Sequence, residues 1–160
     1  MKIPKNVQYY GKDEPLPEQI DLKAGPLNLF YEAGDLRYIK YGYKEIIRRI
    51  YVAVRDHNWD TVTPVLSNVR MDIADDSFNI TYSVNNIKGN VDFFWEGNII
   101  GKPNGDITFS MDGVARSTFW RNRIGFCILY PMEYAGADCE IEHVSGAVEK
   151  SLFPKFIAPQ

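Results

Sequence analysis

Eight residues, Ser77–Val84, alternate between polar and apolar side chains without a break. Phe78, Ile80, Tyr82 and Val84 fall on one side of an extended chain, and Ser77, Asn79, Thr81 and Ser83 on the other. A period of two means a strand with one buried face and one solvated face. No stretch sustains a helical period; Ser117–Asn122 has room for one turn at most. The chain is therefore confined to an all-β fold.

Strand signals follow one another with short links. Leu27–Glu32 and Leu36–Tyr41 flank a tight turn at Ala33, Gly34 and Asp35. Glu45–Asp56 reads as one long strand. Val65–Ile73 and Ser77–Val84 make a second hairpin, and Val91–Ile100 and Asp106–Ala115 a third. The third turn, Lys102–Asp106, carries Pro103 to set φ and Asn104 and Gly105 to accept positive φ. Val91, Phe93, Trp95 and Ile99 are expected to face inward opposite Ile107, Phe109 and Met111. Arg123–Tyr130 is apolar on both sides, with Ile124, Phe126, Ile128 and Tyr130 against Gly125, Cys127 and Leu129, so a central strand is expected there. Cys139–Val144 is a last short strand. About nine antiparallel strands favour a β-sandwich, with a closed barrel second.

Length and composition set the remaining bounds. A chain of 160 residues suits one domain with a real core. A formal charge of -3 lacks the basic excess of a nucleic-acid binder, and no apolar run is long enough to span a membrane. Met1–Gln8 has no apolar signal-peptide core, so cytoplasmic residence is expected and Cys127 and Cys139 read as free thiols. No Cys/His spacing suits a metal, and no phosphate-cradling loop or nucleophile elbow occurs, so no cofactor is expected. Residues 1–25 read as a polar, proline-containing arm, 26–150 as the sandwich and 151–160 as the start of a linker. In that last stretch Phe153, Phe156 and Ile157 are expected to pack on a following domain, the alternative being a tail folded back on the sandwich.

Three groups of side chains could carry chemistry. Asp56 and His57 could form an oriented base, although neighbours on a strand point to opposite faces, and a capped loop is the favoured reading. Glu142 and His143 could serve acid–base work, against the plainer reading of a satisfied edge strand. Arg116, Arg121 and Arg123 crowd the entrance to the doubly apolar strand. They are expected to be structural, with Arg121 and Arg123 clamped on Asp112, Glu140 and Glu142. Their alternative is a ligand site with Trp120 or Trp95 as a stacking platform.

Several longer phrases go further. Arg48–Asp56, Trp59–Pro64, Thr108–Gly113, Ala115–Phe119, Arg121–Cys127 and Glu142–Gly146 together resemble the N-terminal region of the D-apionate lactonase family, over most of the chain from about Gly42. The resemblance implies a β-rich accessory part of a longer enzyme that hydrolyses D-apionolactone to D-apionate in apiose catabolism. It implies a downstream TIM-barrel domain as partner, and a sugar or sugar-lactone ligand. No catalytic residue carries over, because barrel enzymes place their chemistry on βα loops. Two other readings remain: a free-standing carbohydrate-binding sandwich using Trp59 and Trp120, and a mutarotase-like enzyme using His57 or His143.

Overall fold

The computed structural model describes residues 3–156, apart from the side chains of Tyr9 and Tyr10. It is an antiparallel β-sandwich of eleven strands, two more than the alternation patterns suggested. One sheet has the order β1 (Ile20–Ala24), β2 (Leu27–Glu32), β3 (Asp35–Tyr41), β4 (Lys44–Asp56) and then β9 (Arg121–Leu129). The facing sheet runs β5 (Pro64–Ile73), β6 (Phe78–Lys88), β7 (Val91–Gly101) and β8 (Ile107–Ala115). β10 (Asp138–Glu142) and β11 (Val148–Leu152) form a separate hairpin. The stretch read as an arm holds both β1 and a short helix, α1 (Lys5–Tyr10). No helix among the described residues is long and apolar enough to cross a membrane.

The core lies between the two large sheets. Phe78, Ile80, Tyr82 and Val84 of β6 are buried, as the alternation requires, and so are Val91, Phe93, Trp95 and Ile99 of β7. Leu22, Leu29, Leu36, Ile39 and Val54 meet them from the other sheet. The Tyr82 hydroxyl donates to the Gly34 carbonyl at 2.8 Å and so ties one sheet to the turn of the other. That bond satisfies a hydroxyl which burial would otherwise penalise.

β9 departs from expectation. It pairs with β4 on one side only, from Asp56↔Arg121 to Arg49↔Leu129, and is an edge strand rather than a central one. Ile124 packs on the core, but Phe126 and Ile128 remain 40% and 48% exposed. They face the other sheet's edge strand, β8, with Phe126 edge-on to Phe109 at 4.9 Å. The sandwich is open along this side. Ile46, Ile47, Ile50, Ile107, Phe109 and Phe126 line an apolar seam of about 340 Å³ there.

The C-terminal segment folds back in part. Phe153 packs on Tyr130 and Tyr134, and its carbonyl accepts from the Gly136 N–H at 2.9 Å. Phe156 is 85% exposed, while Ile157 lies outside the described residues.

Candidate functional site

The middle of the outward face of the β5–β8 sheet is polar on all four strands, and the next row, Val65, Asn85, Phe94 and Val114, is mostly apolar. Strand register aligns the polar side chains into two rows. In the first, Ser67 faces Ser83, Ser83 faces Glu96, and Glu96 faces Asp112. In the second, Arg70 faces Thr81, Thr81 faces Asn98, and Asn98 faces Ser110. Paired residues on adjacent strands share a face, and both rows, Ser67 apart, line one cavity of about 690 Å³. The β5 edge is bent by a bulge between Ser67 and Arg70, where Asn68 takes φ 54°. A bulge increases local twist, and it brings the Asn68 amide to the Ser83 hydroxyl at 3.4 Å.

The floor under these rows is rigid. Tyr82 meets Trp95 edge-to-face at 5.6 Å. Gly97 lies opposite Tyr82 on the inward side, where a Cβ would come within 2.6 Å of the tyrosine ring. Trp95 Nε1 donates to Asn86 Oδ1 at 3.0 Å, and Asn86 Nδ2 donates to the Val62 carbonyl at 2.7 Å. Trp95 is therefore a core residue, not an exposed stacking platform.

The charges on this face are left over by the fold. Glu96 and Asp112 are directly opposed like charges, an arrangement that destabilises a sheet. Among the described residues neither makes an ion pair, and Arg70 makes none either. Asn98 Oδ1 is enclosed and accepts no hydrogen bond. Ser83 is 8% exposed.

The residues singled out from sequence do not assemble into one site. Asp56 is buried at the end of β4 and accepts from the backbone N–H groups of Asn58 and Asp60, at 2.9 and 3.0 Å, and from Lys88 Nζ at 2.9 Å. The Lys88 ammonium, helped by the two backbone donors, holds its carboxyl below the usual range despite desolvation. Lys88 also reaches Asp60 at 2.9 Å, and the two carboxylates raise its own affinity for a proton. His57 is exposed in the following turn and has no hydrogen bond to Asp56. His143 pairs with Glu149 across the small hairpin at 3.1 Å, not with Glu142. Among the described residues no group of three or more His, Cys, Asp or Glu side chains gathers to hold a metal.

The arginines also separate. Arg116 lies over the Phe94 ring at 4.2 Å and donates to Asn85 Oδ1 at 3.1 Å, beside the polar rows. Arg121 and Arg123 are exposed on β9 and make no ion pair among the described residues. Arg123 Nη1 meets Cys127 Sγ at 3.8 Å, and Glu140 is taken by Lys150 at 3.5 Å. The expected clamp on Asp112, Glu140 and Glu142 therefore does not form: Asp112 belongs to the other sheet, and Glu140 and Glu142 to the separate hairpin. Trp120 is 82% exposed on the link from β8 to β9. The polar rows were missed at the level of sequence, although the wet half of the Ser77–Val84 alternation, with Thr81 and Ser83, was their visible part.

Comparison with known proteins places this fold. Residues 7–160 match the family model described as D-apionate lactonase, N-terminal domain. A D-apionate lactonase of Brucella anthropi is 33% identical over 156 residues, covering 94% of this chain. The chain spans about a quarter of that relative's length, 25%. No solved structure matches it. The match covers most of α1, both large sheets and the small hairpin, and the chain belongs to the D-apionate lactonase N-terminal domain family.

Proposed function

We propose that this chain is the N-terminal accessory domain of a sugar-lactone hydrolase that opens D-apionolactone to D-apionate in apiose catabolism. Its role in that enzyme is to dock on a downstream catalytic domain, a TIM barrel. The observation that carries this reading is the seam between β8 and β9. Two edge strands meet there without closing, and Phe126 and Ile128 stay 40% and 48% exposed. Open apolar edges invite pairing with foreign chains, and natural proteins cover them. The length of the Brucella anthropi relative supplies a covering partner, since three quarters of it lies outside the matched region.

The catalytic inventory supports the same reading. Lactone hydrolysis needs a base to activate water and donors aimed at the developing oxyanion. His57 stands alone in a loop, and His143 is paired with Glu149 on an exposed hairpin. Neither faces the polar rows' cavity.

Hydrolysis of D-apionolactone by this chain, beside a longer chain that carries the downstream domain, tests the proposal. Turnover is expected from the longer chain alone. A matching rate from the 160-residue chain would overturn the accessory role, and His57→Ala and His143→Ala would then show which histidine acts.

A further inference from the structure

We propose that the outward face of the β5–β8 sheet is a binding site for a neutral, hydroxyl-rich carbohydrate, held along the Ser83–Glu96–Asp112 and Arg70–Thr81–Asn98–Ser110 rows. This goes beyond the accessory role and does not rest on it.

The side-chain chemistry is that of hydroxyl recognition. Glu96 and Asp112 accept hydrogen bonds, Arg70 donates them, and the amides and hydroxyls do both. A sugar hydroxyl is at once a donor and an acceptor, so neighbouring hydroxyls of one ring can bridge a carboxylate and an amide. Folding gains nothing from placing Glu96 opposite Asp112, and it leaves Asn98 Oδ1 enclosed without a donor. Asn98 itself lines the same cavity as these acids, beside Ser110. Ser83 adds a second desolvated polar group in the same cavity.

Charge selects among ligands. Two carboxylates against one guanidinium leave the rows net negative, which disfavours a sugar acid. Arg70, together with the excess of hydroxyls and amides over acids, disfavours a cationic side chain from a protein surface. Four strands at about 4.8 Å spacing give rows about 14 Å long, more than one sugar ring needs. A cavity of about 690 Å³ agrees with that.

Amide chemical-shift titration of the 160-residue chain tests the site, with xylotriose, cellotriose and mannotriose as neutral probes and xylonate and arginine amide as charged ones. At least one neutral trisaccharide should shift the amides of Ser83, Glu96, Asn98 and Ser110 saturably. Asn98→Ala should weaken that binding by about tenfold or more. Asp112→Asn, at an exposed position that leaves the fold intact, should weaken it as well, while Trp120→Ala should leave it unchanged. Four results would overturn the proposal: no saturable shift with any trisaccharide, shifts centred on Trp59 or Trp120, unaltered affinity in Asp112→Asn, or a stronger response to xylonate or arginine amide.

Discussion

Two pairs of carboxylates, one at the end of β4 and one on the outward face of the β5–β8 sheet, are treated in opposite ways by the fold. Asp56 and Asp60 share the Lys88 ammonium, and Asp56 also accepts two backbone N–H groups. Glu96 and Asp112 face each other across β7 and β8 with no cation between them. The first pair closes a loop. The second costs the sheet a little and is free to meet something else. A carboxylate's partners, rather than its neighbours in sequence, separate a structural acid from an available one.

The largest effect that sharpens this contrast lies beside the Asp56 corner. Asn86 is 2% exposed and holds both the Trp95 indole and the Val62 carbonyl. Asn86→Ala strands two buried groups and should cost about 3 kcal/mol in urea unfolding. A loss below about 1 kcal/mol would mean that the loop is not pinned to the core there.

Next comes Asp56 itself. Asp56→Ala should lower the melting temperature by several degrees, and Lys88→Met by less, because the two backbone donors persist. The pH dependence has a definite sign. The folded-state pKa lies below the ordinary value of 3.8, so the contribution is fully present above that value. It is lost as pH falls through the lower, folded value. Melts taken from pH 6 downward should show an acid limb that Asp56→Asn flattens. An unchanged limb in that variant would assign acid sensitivity to other groups.

The smallest effect belongs to the available pair. Glu96→Gln relieves a like-charge contact and should stabilise the chain by about 0.5 kcal/mol or leave it unchanged. Destabilisation beyond about 1 kcal/mol would show that the fold does use Glu96, and the contrast would fail.

The two regions were unequally legible in the sequence. The Asp56 corner is local: its two backbone donors lie two and four residues away, and the capped-loop reading of Asp56–Trp59 followed from spacing. The polar rows are not local. Ser83, Glu96 and Asp112 become neighbours only once the β6–β7 and β7–β8 registers are known, and alternation says which residues are wet without saying which of them align. The inward residues of β6 and β7 were readable from period two, whereas Leu22, Leu29, Leu36, Ile39 and Val54 of the facing sheet were not. Nor was the edge position of β9, because a strand apolar on both faces suits a sheet centre and a covered edge equally. β1 escaped notice because its five residues, Ile20–Ala24, are too few to show a period. The arginine clamp failed for the same reason that the rows were missed: it presumed that acids scattered along the chain would converge on β9.

The seam remains the feature on which the accessory role depends, and amide hydrogen exchange along β9 measures it most directly. Exchange would be followed at Ile124–Leu129 in this chain and in a longer chain carrying the downstream domain, with the β6 amides as an internal reference. Docking at the open edge predicts markedly slower exchange across β9 in the longer chain and no change in β6. Equal exchange at Ile124–Leu129 in both chains would contradict it.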